Sequence, residues 1–218
     1  MLDFVIYLCS HGETKDPTIR CIFNLIGNID YKFKVYWQPP DASLGHARSV
    51  ACWDFLRNNV SNKLVFLDTD HVFGPDDMAE LVKSMDEYDI IAGAYPMAGK
   101  SGLAIHPWED IVWDGHIEEI KYASAGFMGI TRKALKQIKT ELDLPLLNKG
   151  EWCECYPFFE LKSCPEEGCY LSEDWEFCNK ARAARLKVYI HTGILVGHIK
   201  ERVIYAQPNE NGKLEIKG

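Results

Sequence analysis

The sequence predicts an α/β fold whose central sheet is mostly parallel and flanked by helices. Over the first ninety-odd residues, strand-like apolar runs alternate three times with amphipathic helical patterns. The run Lys63–Asp68 has four successive apolar residues, which is typical of a strand buried on both faces of a parallel sheet. The chain has 218 residues, of which 47% are hydrophobic, so we expect one packed core.

The first half of the chain contains four predicted strands and three predicted helices. The predicted strands are Phe4–Cys9, residues 31–37, Lys63–Asp68 and Ile90–Ala94, and the predicted helices are residues 18–27, 47–58 and 74–88. The first helix has apolar residues three and four positions apart and ends at Gly27. The third begins at Gly74 with a proline and two aspartates, which suit the positive end of a helix dipole.

The second half of the chain has a less regular pattern. Its predicted elements are a helix over residues 131–142, an irregular loop over 145–171, a helix over 172–184 and a strand over 187–191. The segment before the first of these helices contains Gly126 and Gly129, which would permit a close approach of the backbone or form ordinary turns. We expect residues 1–206 to form a single domain and residues 207–218 to be a polar tail or linker.

Charge and hydropathy exclude two classes of function. The net charge of −8 and a pI near 5.4 argue against a protein that neutralises a nucleic-acid backbone. No apolar segment approaches the ~20 residues that a membrane-spanning helix needs, and residues 1–9 are too short for a signal peptide. We therefore expect a cytoplasmic protein with neither a nucleic-acid partner nor a transmembrane segment.

The eight cysteines are more than a chain of this size usually carries. Four of them fall in the predicted loop, namely Cys153, Cys155, Cys164 and Cys169. Without an export signal we expect reduced thiols. A structural zinc site in the loop stays open as an alternative, although the spacings depart from the usual ones.

The strongest candidate site lies at the end of the Lys63–Asp68 run. Asp68 and Asp70 are two positions apart at the edge where α/β sheets bind ligands. Paired carboxylates there suit a hard divalent cation that carries phosphates. A solvated turn before Gly74 would also explain them.

Three further positions carry charge or a metal-binding group near element ends. Arg48 lies in the first turn of a helix, where a cation indicates either an anionic partner or a side chain that reaches solvent. Glu173 and Asp174 open the helix after Ser172, where they could act on a substrate or simply be favourable first-turn acids. His198 follows an apolar run and could be a ligand or a core histidine.

At Asp68-Thr-Asp70, Glu173-Asp174 and Gly197-His198, in this order and spacing, the chain resembles nucleotide-sugar glycosyltransferases of the GT-A fold that carry a DxD motif. The small viral or bacterial members are the nearest in size. The resemblance implies a GT-A type fold, with a Rossmann-like nucleotide-binding half and an acceptor half, for a catalytic domain over residues 1–206. It also implies transfer of a sugar from a nucleoside-diphosphate sugar, with uridine favoured, to a hydroxyl of a glycan or glycoprotein.

The resemblance assigns roles to individual residues. Asp68, Asp70 and His198 would form the site of Mn²⁺, or Mg²⁺, with Asp70 and His198 as direct ligands and Asp68 holding the ribose or a metal-bound water. The remaining nucleotide contacts would come from Ser10, His11, Arg48 and Lys200. Asp174, with Glu173 beside it, would be the general base of an inverting reaction. The loop over residues 145–171 would lie by the acceptor.

Three other interpretations stay open. Leu64–Val72 also fits the strand-Asp-x-Asp signature of a haloacid-dehalogenase-type phosphohydrolase, in which Asp68 is the nucleophile and Asp70 the acid/base. A sugar-phosphate nucleotidylyltransferase is disfavoured because a Gly-rich loop with arginine after the first strand is missing. A nucleotide-sugar-binding module without activity would differ from the transferase only in turnover.

Overall fold

The computed structural model describes residues 1–10, 12–97, 102–107, 109–165, 168–199, 203–209 and 211–217. The helices in these ranges are α1 (Asp16–Leu25), α2 (Leu44–Arg57), α3 (Pro75–Ser84), α4 (Arg132–Glu141) and α5 (Glu173–Ala183). The strands are β1 (Phe4–Cys9), β2 (Phe33–Trp37), β3 (Lys63–Asp68), β4 (His71–Val72), β5 (Ile90–Ala94), β6 (Ile105–Pro107), β7 (Ile117–Ala123), β8 (Phe127–Thr131), β9 (Lys162–Cys164), β10 (Cys169–Leu171), β11 (Tyr189–Leu195), β12 (Gly197–Ile199), β13 (Val203–Pro208) and β14 (Leu214–Lys217).

The central sheet, as far as the chain is described, has eight strands in the order β2-β1-β3-β8-β5-β11-β7-β6. Strand β1 is parallel to β2 and β3, and β5 is parallel to β11. Strand β8 runs antiparallel between β3 and β5, and β7 runs antiparallel to both β11 and β6. The α/β class is confirmed, but the prediction of a mostly parallel sheet is wrong: the sheet is mixed.

Two layers of helices cover the faces of this sheet. Strand β1 is fully buried, and its side chains alternate between the two hydrophobic clusters. Phe4, Ile6 and Leu8 pack in the cluster that includes residues of α1 and α3. Val5 and Tyr7 face the opposite cluster, which includes residues of α2, α4 and α5. Because the helices cover both faces, a site can open only where the strands end, such as the end at which β1 and β3 finish side by side.

The predicted helices and strands of the first ninety residues are confirmed, with ends that shift by up to four residues. The segment before α4 differs, because it forms strand β8 in the middle of the sheet. The predicted irregular loop over 145–171 contains the β9-β10 hairpin. The predicted polar tail, residues 207–218, instead contributes to a second hairpin of β13 and β14. Whether it links to another domain stays a prediction.

A small second sheet brings distant parts of the chain together. Its order is β14-β13-β12-β4. The pairing of β12 with β4 sets His198 directly opposite His71. This short pairing positions the histidines beside the end of β3.

The remaining global predictions concern thiols and membranes. All eight cysteines, which lie within the described ranges, are free thiols. The group of side chains with metal-binding spacing in the described part of the chain contains none of them. No helix among the described residues is long and apolar enough to cross a membrane.

Candidate active site

A cleft of about 920 Å³ opens at the edge of the sheet where β1 and β3 end side by side, with Cys9 paired to Asp68. Its opposite wall is the first turn of α5. The cleft is lined among others by Ser10, Leu44, Arg48, Asp68, Thr69, Asp70, Tyr95, Ser124, Tyr170, Ser172, Glu173, Asp174, Trp175 and His198. This is the edge at which the sequence predicts a site.

A buried arginine joins the two halves of the cleft. Arg48, 2% exposed, donates from Nη2 to Asp68 Oδ1 at 2.7 Å and from Nη1 to Glu173 Oε1 at 2.8 Å. Burial alone would lower the pKa of Arg48, but the charges of Asp68, Asp174 and Glu173 raise it above its ordinary value. The guanidinium therefore stays charged and fixes Asp68 of strand β3 to Glu173 of helix α5.

Next to this ion pair, Asp70, His71 and His198 form a group that could hold a metal ion. One potential ligand atom from each lies within 4.8 Å of the others. His198 Nε2 is 3.2 Å from Asp70 Oδ2, and His71 Nδ1 is 3.5 Å from Asp70 Oδ1. The two imidazole rings are nearly parallel, with centroids 4.9 Å apart. Carboxylate and imidazole ligands together suit a divalent transition metal.

The surroundings of the two histidines differ. His198 Nδ1 lies 2.7 Å from the carbonyl oxygen of Pro96, and Nε2 lies 3.2 Å from Asp70 Oδ2, so both ring nitrogens have an oxygen partner. His71 is fully buried, against the edge of the Tyr95 ring at 4.2 Å, and burial lowers its pKa to about 4. His71 is thus suited to the neutral form that ligates metals.

Gly126 allows the backbone before β8 to approach this group closely. A Cβ atom added there would lie 2.5 Å from Tyr95 Oη, 2.6 Å from Asp68 Oδ2 and 2.7 Å from His71 Cε1. Any larger residue would therefore displace groups of the site. Gly129 has a different role, because its added Cβ would meet only the flexible side chain of Met85.

Asp174 faces the cleft from the first turn of α5 and is 8% exposed. Its Oδ1 accepts hydrogen bonds from the Ser172 hydroxyl and, at 2.9 Å, from the backbone N–H of Trp175. The Trp175 ring stacks on Tyr122 with centroids 4.6 Å apart. These contacts hold the carboxylate in one orientation at the end of an open cleft.

The cleft brings together most of the residues that the sequence singles out. Lining it are Ser10, Arg48, Asp68, Asp70, Glu173, Asp174 and His198. His11 and Lys200 lie outside the described residues. The analysis of the sequence missed His71, although it directly follows Asp70, because only the pairing of β4 with β12 reveals its neighbour His198.

Comparisons with known proteins show the fold and no more. No family model matches the chain, and no curated protein matches it. The crystal structure of A197 from STIV has a TM-score of 0.60 and 17% identity, covering 99% of this chain and 94% of that one. The structure of GalNAc-T7 with UDP, GalNAc and Mn²⁺ has a TM-score of 0.60 and 12% identity over 92% of this chain.

The second likeness shows that the fold of this chain is similar to the GT-A-like fold of GalNAc-T7. This chain spans 44% of the length of GalNAc-T7. The predicted GT-A-like fold is therefore confirmed in its general form.

Proposed function

We propose that this protein is a metal-dependent glycosyltransferase that moves a sugar from a nucleoside-diphosphate sugar, UDP in the first instance, to a hydroxyl of a glycan or glycoprotein. The proposal rests on the residues that line one cleft. Asp68, Asp70 and His198 lie on its donor side, and Asp174 faces them from the start of α5. The fold likeness to GalNAc-T7, whose structure contains UDP, GalNAc and Mn²⁺, supports the choice of donor and metal.

The donor side would bind the diphosphate through a divalent cation. The fit of the residues to such a cation is supported by His71, whose two buried ring nitrogens lack a hydrogen-bond partner in the described part of the chain. Asp70 and His198 are the predicted ligands. A bound Mn²⁺ would act as a Lewis acid and stabilise the negative charge of the departing diphosphate. Ser10, at the end of β1, would contact the nucleoside.

Asp68 would act from its fixed position beside Arg48. Its Oδ1 is engaged by the guanidinium, and its Oδ2 lies towards Gly126. Asp68 would contact the ribose or a metal-bound water from that position. Arg48 would then act on the nucleotide indirectly, by holding Asp68 and Glu173, because the two carboxylates already take its Nη1 and Nη2 groups.

Asp174 would be the general base. It would accept the proton from the acceptor hydroxyl as that oxygen attacks the anomeric carbon from the face opposite the diphosphate, which inverts the configuration. The donors from Ser172 and Trp175 hold Oδ1 in place. Glu173 is less suited to this role because it is paired with Arg48. Tyr170 and the hairpin that carries it would border the acceptor.

The phosphohydrolase alternative has less support. It requires Asp68 as a nucleophile, and one oxygen of that carboxylate is held at 2.7 Å by Arg48. The likeness to a glycosyltransferase fold also favours transfer of a sugar over hydrolysis of a phosphate ester. We therefore do not propose it as a second function.

A donor screen tests the proposal. Release of nucleoside diphosphate from a panel of UDP-, GDP- and TDP-sugars is measured with Mn²⁺ and with chelator. Turnover that needs Mn²⁺, is lost in Asp70→Ala and is retained in the exposed control Asp30→Asn is the expected result. Absence of turnover of every donor, with phosphatase activity on a phosphomonoester instead, would overturn it.

A further inference from the structure

We propose that His71 is the third protein ligand of the metal site, in the place that the DxD pattern gives to Asp68. With Asp70 and His198 it would form a site of two imidazoles and one carboxylate that binds a transition-metal dication before any nucleotide arrives. The proposal rests on the proposed function only for the use of the metal in catalysis. The binding itself is a separate property of the three side chains.

The first argument is that His71 makes no hydrogen bond among the described residues, although its Nδ1 lies 3.5 Å from Asp70 Oδ1. Its side chain is fully buried, and neither Nδ1 nor Nε2 has a hydrogen-bond partner among the described residues. Buried polar atoms are almost always paired in native proteins, so two unpaired nitrogens on one ring point to a missing ligand. The ring packs against Tyr95 in a T-shaped contact with centroids 4.2 Å apart.

The second argument is the register that aligns the two histidines. Strands β4 and β12 are antiparallel, and His71 is paired directly with His198. One nitrogen of each ring lies within 3.5 Å of an Asp70 oxygen. The rings are stacked, with centroids 4.9 Å apart, so one ring must turn about its side-chain bonds for both to direct a lone pair at the same ion. The Pro96 carbonyl oxygen lies 2.7 Å from Nδ1 of His198, which is the kind of contact that orients a metal-ligating histidine.

The third argument concerns Asp68, which is engaged elsewhere. Arg48 binds its Oδ1 at 2.7 Å, and the guanidinium is itself anchored to Glu173. The group with metal-binding spacing accordingly contains Asp70, His71 and His198 but not Asp68. Asp68 therefore pairs with Arg48, and Asp70 is the carboxylate that we expect to bind the cation.

The ligand set determines the class of metal. Imidazole nitrogens suit Fe²⁺, Co²⁺ and Zn²⁺ best, and Mn²⁺ accepts them beside its preferred oxygen ligands, whereas Mg²⁺ and Ca²⁺ bind almost entirely to oxygen. A site with one carboxylate and water as its only oxygens would bind Mg²⁺ weakly without a diphosphate to supply more. We expect Mn²⁺ or Co²⁺ to bind the nucleotide-free protein about tenfold or more tightly than Mg²⁺.

Metal binding to the full chain without nucleotide tests the assignment. Calorimetric titration with Mn²⁺, Co²⁺ and Mg²⁺ gives affinity and stoichiometry for wild type, His71→Phe, Asp68→Asn and the control His116→Phe, which alters an exposed histidine. His71→Phe keeps a ring against Tyr95 and should lose about tenfold or more in Mn²⁺ affinity, as loss of a site residue commonly does. The control His116→Phe should stay within about threefold of wild type. Asp68→Asn removes a neighbouring charge but no proposed ligand, so it should lose less Mn²⁺ affinity than His71→Phe.

A second measurement does not depend on how the variants fold. Electron spin echo modulation of Mn²⁺ bound to wild type detects directly coordinated imidazole nitrogens. Two coordinated nitrogens would support the proposal, and one would overturn it. In the calorimetric titration, the proposal would be overturned by a His71→Phe protein that binds Mn²⁺ like wild type, or by an Asp68→Asn protein that does not bind Mn²⁺. Loss of sugar transfer with metal binding intact would instead refute the proposed function alone.

Discussion

Replacing Arg48 by glutamine should destabilise the protein strongly, because the guanidinium is the partner of two carboxylates. Its side chain is 3% exposed, and it lies 2.7 Å from Asp68 and 2.8 Å from Glu173. Breaking a buried ion pair costs roughly 3–5 kcal/mol. Water reaches the carboxylates, whose side chains are 21% and 19% exposed, so we expect the lower part of this range, about 3 kcal/mol.

Urea unfolding at neutral pH, followed by circular dichroism, measures this loss. The control is Arg20→Gln, which removes a pair with Asp16 on the surface of α1 in which both side chains are more than two-thirds exposed. It should change the free energy of unfolding by less than about 0.5 kcal/mol. Arg48→Lys should recover only part of the loss, since one ammonium group does not reproduce the two-pronged contact.

A loss below about 1 kcal/mol in Arg48→Gln would refute the reasoning, because it would mean that the two carboxylates tolerate each other without a cation. An equal loss in Arg20→Gln would refute it as well, since burial would then not be the cause.

Three further predictions concern other parts of the cleft. Gly126→Ala should weaken Mn²⁺ binding and destabilise by about 1–3 kcal/mol, because its Cβ would lie 2.7 Å from Cε1 of the proposed ligand His71. Asp174→Asn should lower kcat for sugar transfer by about 10²–10⁴-fold with donor affinity unchanged, as expected for loss of a base. Iodoacetamide at pH 8 should label the exposed Cys169 long before the buried Cys9. Burial raises the pKa of the Cys9 thiol to about 12, so very little of it is the reactive thiolate at this pH.

Each of these has a matched control or a contrary outcome. Gly129→Ala lies three residues further on, in strand β8, and should leave metal affinity unchanged because the atoms nearest its Cβ all belong to Met85. An equal loss of affinity there would show that a disturbance of strand β8 is responsible rather than the contact with the site. A donor affinity that falls with kcat in Asp174→Asn would place Asp174 in donor binding instead. Mass spectrometry measures the labelling, and Cys9 modified as fast as Cys169 would contradict its burial.

The sequence predicts the elements of this fold better than their directions. The strands β1, β3 and β5 are continuous apolar runs, and their helices have clear periodicity. The sequence does not predict strand β8, because Gly126 before it and Gly129 within it resemble turn residues. The direction of a strand depends on the path of the whole chain, which no local sequence pattern records. The mixed character of the sheet comes from β8, which is antiparallel to β3 and β5, and from β7, which is antiparallel to β11 and β6.

The candidate site shows the same division. Asp68 and Asp70 stand out because they end a buried strand, and Asp174 because it begins a helix. His71 has no such signal, since β4 is two residues long and its partner β12 lies more than a hundred residues later. The contact of Arg48 with Glu173 is equally remote in sequence. Pairings of this kind become visible only when the chain is folded.

The most direct test of the central claim is the melting temperature of the protein with UDP, GDP or inorganic phosphate, each with and without Mn²⁺. A ligand at a hundred times its Kd adds about 2.7 kcal/mol to the free energy of unfolding, which is readily detected. We predict that a nucleoside diphosphate raises the melting temperature only with Mn²⁺, beyond the effect of Mn²⁺ alone, and that Asp70→Ala abolishes this rise. A melting temperature that responds to phosphate with Mn²⁺ but to neither nucleotide would contradict the assignment of the cleft to a nucleotide-sugar donor.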